Sequence, residues 1–245
     1  MEHVKYARAK KLRIELPEDS MGSGGDNKKN LFEEEGDNHI WTSVDTPMRK
    51  GAFEKSDIEK INEIEYHFSK IMETLGLDLT DDSLAGTPYR VAKMYVKEIF
   101  SGLDPKNKPE TKLFDNKYNY NEMLVERDIT FYSHCEHHFV PIIGKAHVAY
   151  KSSGKVIGLS KLNRIVQYFA KRPQVQERLT IQIAEEIKKA VQTNDVAVMI
   201  SATHLCVSSR GIQDVTSSTV TSEYGGVFKK ESTKAEFLRY VNAGH

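Results

Sequence analysis

Apolar positions first recur at helical spacing at Ile58, Ile61, Phe68, Ile71, Met72 and Leu75. That run opens on Ser56-Asp57-Ile58-Glu59, a capping box with serine as N-cap and glutamate three residues on, and Gly76 supplies the stop. Thr87-Pro88 predicts a second helix with proline at its first position, burying Val91, Met94, Tyr95 and Phe100 and ending near Gly102. From about Glu122 the period shortens to two. Ile129 and Phe131 share one face of Asp128–Ser133, and Ala146, Val148 and Tyr150 oppose Lys145, His147 and Ala149. The turn signal at Ser152–Lys155 predicts a hairpin. Ser160 then reads as the N-cap of a helix whose stripe is Leu162, Ile165, Val166 and Phe169, broken by Pro173. A long helix is predicted from Gln174 to about Thr193, then a strand over Val196–Ser209, a Ser/Thr-rich β segment at Thr216–Thr221 and a closing helix at Glu236–Val241.

Segregated runs of this kind predict an α+β fold, an antiparallel sheet with helices on one face. Residues 1–54 differ: lysines and acids alternate, periodicity is weak, and the stretch reads as a polar, mobile N-terminal tail. The expected organisation is that tail, a helical region over 55–120 and a sheet-bearing catalytic part over 121–245.

Charge narrows the function. Lys plus Arg equals Asp plus Glu at 35 each, which argues against a general nucleic-acid binder, whose affinity rests on a basic excess. No apolar run approaches the ~20 residues of a membrane helix, so no membrane partner is expected. The charged start of the chain has no signal core, and the expected location is the cytoplasm.

Chemistry concentrates in two places, His134-Cys135-Glu136-His137-His138 and His204-Leu205-Cys206. The only cysteines are Cys135 and Cys206, and their bland readings are a pair of buried thiols or a bridge between them. Cys135 and His138 have the C-x-x-H spacing that brings two side chains to one ion, and His204 and Cys206, two apart in a predicted strand, share a face. Thiolate and imidazole donors select zinc over magnesium or calcium. Cys135, His138 and Cys206 make three ligands and leave a place for water; His137 and His204 are then acid/base candidates. A structural site would enlist one of those histidines as a fourth ligand. Ser160, Lys161 and Arg164 open a helix, and Arg210 follows the Cys206 segment, a set suited to a polyanion such as a phosphate ester, or to plain surface charge. Arg90 and Lys93 lie three apart on the polar side of their helix. Gln176 and Glu177 open the long helix, where a glutamate serves the helix dipole but, beside an amide, also suits the N1–H and amino edge of guanine.

Cys135-Glu136-His137-His138-Phe139, Gly158-Leu159-Ser160-Lys161 with Asn163-Arg164, Arg172-Pro173-Gln174-Val175-Gln176-Glu177-Arg178-Leu179, His204 with Cys206, and Thr87-Pro88 with Arg90-Val91-Ala92 closely resemble the zinc-dependent class of GTP cyclohydrolase I. The likeness runs from about Ser56 to Val241. It implies a tunnelling fold, a four-stranded antiparallel sheet with helices on one face, after an N-terminal helical part. It implies assembly into a homodecamer of two pentameric rings, with active sites between subunits. The implied reaction turns GTP into 7,8-dihydroneopterin triphosphate and formate, the first step toward tetrahydrofolate and other pterins. By the same resemblance, Cys135, His138 and Cys206 hold Zn2+, and water activated there attacks C8 of the guanine. His204 protonates the ring nitrogen, His137 serves later proton transfers, and Glu177 with Gln176 anchors the guanine edge. Ser160, Lys161, Arg164 and Arg210 bind the triphosphate, joined by Arg90 and Lys93 from another subunit.

Overall fold

The capping box forms as the sequence predicts. In a computed structural model of the chain, which describes residues 43–243, helix α1 spans Asp57–Thr74, and Ser56 and Glu59 exchange their side-chain and backbone bonds at its start. Its predicted apolar stripe is only half used: Ile61 and Met72 are buried, whereas Ile58, Ile71 and Leu75 are exposed. A short helix α2 (Asp82–Ala85) leads to α3 (Thr87–Met94), which opens with Pro88 in its first turn and runs into one π-helical turn, Tyr95–Ile99. Of the predicted tail, residues 1–42 lie outside the described residues.

Strands follow: β1 (Leu113–Asp115), β2 (Met123–Cys135), β3 (Pro141–Lys151) and β4 (Lys155–Ile157). Helix α4 (Leu159–Ala170), a two-residue strand β5 (Pro173–Gln174) and helix α5 (Gln176–Val191) come next. The chain closes with β6 (Val196–His204), a single helical turn α6 (Leu205–Ser208), β7 (Thr219–Tyr224) and α7 (Glu231–Asn242). Among the described residues the larger sheet has the order β5-β2-β3-β6-β7, antiparallel except where β5 runs beside the end of β2.

The larger sheet has one face under α4 and α5. Ile129, Phe131, Ala146, Val148, Tyr150, Val198 and Ile200 meet Leu162, Ile165, Val166, Leu179, Ile183 and Ile187 in one apolar core. Burying each such large side chain contributes about 1.5–3 kcal/mol relative to leaving it exposed. The helices are not confined to one face as the sequence predicts: α7 packs on the opposite face, where Phe237 and Val241 join Met123, Ala149, Ala197 and Phe228. That second cover is why Ala149 and His147, which the alternation turned toward solvent, are buried.

Four local expectations are corrected. The Ser152–Lys155 turn forms, with the Ser152 hydroxyl donating to the Lys155 carbonyl at 2.7 Å, but β4 pairs with β1 instead of folding back on β3. Ser160 is not the N-cap of α4; Gly158 takes that place in extended conformation without a side-chain bond. The long helix starts at Gln176 because Pro173 and Gln174 are spent on pairing with His134 and Cys135. β6 stops at His204, so Cys206 sits on a helical turn and not on the strand.

Candidate active site

Residues 136–140 form the loop joining β2 to β3. The loop is tight. The Cys135 N–H donates to the Val140 carbonyl and the Phe139 N–H to the Cys135 carbonyl, both at 2.9 Å. Phe139 adopts a left-handed φ of 51°, uncommon for a bulky residue, and its ring packs edge-on to Phe100 at 5.3 Å. This geometry folds the loop back on itself, so that Nδ1 of His137 and of His138 lie 3.7 and 3.9 Å from Cys135 Sγ.

The third donor arrives from β6. The register pairs Pro141 with His134 and Ile142 with His204, which brings the end of β6 beside the loop. One residue past the strand, α6 turns Cys206 inward, and the donor atoms of Cys135, His138 and Cys206 all lie within 4.8 Å of one another. Burial pushes the Cys206 thiol up to about 11, with Cys135 adding to the rise. Two sulfurs with one imidazole are a donor set that suits zinc. The residues fit that ion.

Behind the cluster, His204 Nε2 lies 2.7 Å from Gln176 Oε1. The orientation of that amide is fixed. Its nitrogen faces the carbonyls of Ile200 and Thr219 at 3.3 and 3.0 Å, which only accept, so the oxygen faces His204. His204 therefore carries its proton on Nε2 and presents Nδ1 as a lone pair. Burial lowers its affinity for a second proton, partly offset by the nearby Glu177 carboxylate. Glu177 is exposed in the first turn of α5, while Gln176, its predicted partner at a base edge, is 2% exposed with its amide engaged in the protein. Arg210 donates to Nε2 of His138 at 2.8 Å.

The profile of the family GTP cyclohydrolase I matches residues 64–242. A GTP cyclohydrolase 1 from Flavobacterium johnsoniae is 60% identical over 215 residues, covering 88% of this chain and 96% of that protein. Those from Aeromonas salmonicida and Vibrio parahaemolyticus are 57% and 55% identical over 196 residues, covering 80% of this chain and 89% of each. The chain belongs to the GTP cyclohydrolase I family. It is an enzyme. A solved apo structure of the archaeosine synthase QueF-Like matches at 20% identity with a TM-score of 0.31, over 43% of this chain and 94% of that one.

Within one GTP cyclohydrolase I chain, the expected site residues fall into two groups. Cys135, His137, His138, Gln176, Glu177, His204, Cys206 and Arg210 come together. Ser160, Lys161 and Arg164 do not. α4 runs in the same direction as β2, with the Asn163 amide on the Glu126 carboxylate at 3.1 Å and the Gln167 amide on the Thr130 carbonyl at 2.6 Å. Cys135 is nine residues beyond Glu126, so the α4 cations stand on the order of 25–30 Å from it along the strand. Arg90 is bonded locally, to the Ser83 carbonyl and the Thr87 hydroxyl, and Lys93 is exposed on the same helix.

Sequence reasoning passed over two buried arginines. Arg172 donates to the Gly102 carbonyl at 2.8 Å and lies over the rings of Tyr168 and Phe169. Arg178 forms an ion pair with Glu136, inside the loop that joins β2 to β3. Both belong to the Arg172–Leu179 stretch, whose local sequence does not mark either arginine as buried.

Proposed function

We propose that this chain opens the imidazole ring of GTP by hydrolysis, turning GTP and water into 7,8-dihydroneopterin triphosphate and formate. The observation that carries the reading is the convergence of the Cys135, His138 and Cys206 donors within 4.8 Å, beside His204, in a chain of this family. These three residues hold a zinc ion, with the fourth place left to solvent. When bound, that ion supplies a Lewis acid that brings the pKa of water to roughly 7.

The chain's own groups do the rest. His204, neutral at pH 7, accepts a proton at Nδ1 and passes it to the ring nitrogen as water adds to C8. Gln176 holds its imidazole in that tautomer. His137, exposed and next to the metal ligand, serves the later proton transfers about the ribose. Glu177 accepts from the N1–H and amino group of the guanine. Ser160, Lys161, Arg164 and Arg210, with Arg90 and Lys93, bind the triphosphate.

The split between the metal group and the α4 cations supports a site completed by a second copy. So do the outer edge that β7 presents among the described residues and exposed Ile58, Ile71 and Leu75 on α1. We read the fold as a tunnelling fold assembled into a homodecamer of two pentameric rings, with a tail over 1–54, a helical region over 55–120 and a catalytic domain over 121–245. No described helix is long and apolar enough to cross a membrane, and we place the protein in the cytoplasm, in the pathway to tetrahydrofolate.

Incubation with GTP should release formate and a pterin that fluoresces after oxidation. Cys135→Ala should lose both zinc and turnover; persistent turnover in a zinc-free variant would end this reading.

A further inference from the structure

Arg178 follows Glu177 but turns the other way, into the protein, where its side chain is 4% exposed. Nε donates to Gln174 Oε1 at 2.9 Å, Nη2 to the Pro173 carbonyl at 3.1 Å and to the Glu136 carboxylate, and Nη1 to the Ser43 carbonyl at 3.4 Å. Glu136 stands between Cys135 and His137, and its own N–H donates to the Gln174 carbonyl at 3.0 Å. One guanidinium thus touches the metal loop, the strand β5 beside it and, through its backbone, the turn that carries Glu177.

We propose that Arg178 is a positioning residue: through Glu136 it fixes the distance between the metal-holding loop and the base-anchoring first turn of α5. The inference rests on Cys135, His138 and Cys206 being metal ligands. The planar fork of arginine explains the residue type. It serves acceptors in divergent directions at once, which the single ammonium of lysine cannot do. A buried charge held by one carboxylate and several oxygens is also stiff, because releasing either partner strands the other away from water. No atom of Arg178 needs to reach substrate. Its effect is on where Cys135 and His137 stand relative to Glu177.

The test uses the full-length holoenzyme and the variants Arg178→Lys, Glu136→Ala and the pair combined. Zinc per chain, the rate of zinc transfer to the chelator pyridylazoresorcinol, kcat, KM for GTP and melting temperature are measured on each. Each single variant should surrender zinc or lose kcat by about 10–100-fold, the range for residues that support a ligand through a hydrogen bond. KM should change by less than about threefold, since uniform substrate binding is untouched. The double variant should be no worse than the poorer single, because both cut one link. Additive losses, or variants that melt lower yet keep zinc and kcat, overturn the proposal. If Arg178→Lys fails to fold, Glu136→Ala decides alone, its carboxylate being partly exposed at 20%. A parent without zinc sinks the metal reading and this inference together; a zinc-bearing parent with unaffected variants sinks the inference only.

Discussion

Gln176→Met separates two roles for one side chain. Methionine keeps the length and the burial but removes the acceptor for His204 Nε2–H and the donor to the Ile200 and Thr219 carbonyls and the Thr221 hydroxyl. Thr221 retains Thr180 at 2.7 Å and the Ile200 segment retains its strand partners, so the groups left bare are chiefly the imidazole N–H and the Thr219 carbonyl. At about 1–3 kcal/mol for each stranded buried group, discounted because His204 is half-buried, the variant should be about 2–3 kcal/mol less stable. Urea unfolding at constant slope measures that. The kinetic effect is distinct. Freed of Gln176, the imidazole samples both tautomers and other ring angles, and kcat should fall about 10–100-fold, equivalent to about 1.4–2.7 kcal/mol of barrier. KM for GTP should stay near the parent value. A KM raised tenfold at unchanged kcat would instead put Gln176 on the base beside Glu177 and refute the tautomer argument. A stability loss with both constants unchanged would make it a core residue only.

Three further outcomes follow from the same geometry. If the α4 cations complete a neighbour's metal site, co-expressing inactive Lys161→Ala and inactive Cys135→Ala chains should restore about a quarter of parent activity, as random pairing in a symmetric oligomer leaves that share of sites whole; no recovery in mixed oligomers would place all groups in one chain. Burial holds His134 and His204 below the ordinary imidazole range, so the unfolded chain binds more protons than the folded one below pH ~6.5, and stability of the metal-free protein should drop as pH falls from there toward the folded values. A urea midpoint that rises between pH 7 and 5.5 contradicts this. Gly144→Ala would put Cβ 2.5 Å from both the Ala202 Cβ and the Ser201 carbonyl oxygen and 2.9 Å from the Phe131 ring, and should cost about 1–3 kcal/mol in the same assay; an unchanged midpoint means the β3–β6 pair yields freely.

What could be read from the chain beforehand follows the range of the forces involved. The α1 cap, the alternation at Ile129 and Phe131 and the stripe of α4 are set by neighbours within a few residues, and all appear in the structure. The C-x-x-H pair was legible for the same reason, since a five-residue loop brings Cys135 and His138 together unaided. β5 was not legible: Pro173 and Gln174 are extended only because β2 lies alongside. The cover of α7 over Ala149 depends on packing across more than eighty residues, which no local period reports. The Glu136–Arg178 pair escaped because, in sequence, each is one more charge among seventy.

The case of Cys206 shows how an expected convergence of donors can follow from an incorrect local premise. Its approach to Cys135 was argued from the H-x-C spacing on an assumed strand, yet the strand ends at His204 and a helical turn carries the sulfur. What brings the sulfurs together is β3, which pairs with β2 on one side and β6 on the other. Pro141 faces His134 and Ile142 faces His204, so the two donor-bearing ends stand about two strand spacings apart, near 10 Å between backbones, for any side chains placed there. The tight loop after Cys135 and the turn after His204 then lean inward and close that gap to a common donor cluster. Such a site depends on register more than on residue spacing. A one-residue slip of β6 against β3 would move His204 to the opposite face of the sheet and carry Cys206 about 3.3 Å along the strand, beyond the span of a single ion. The apolar contacts of Val196, Val198 and Ile200 with α5, all fully buried, forbid that slip, so the core that stabilises the sheet also sets the spacing of the sulfur and imidazole donors.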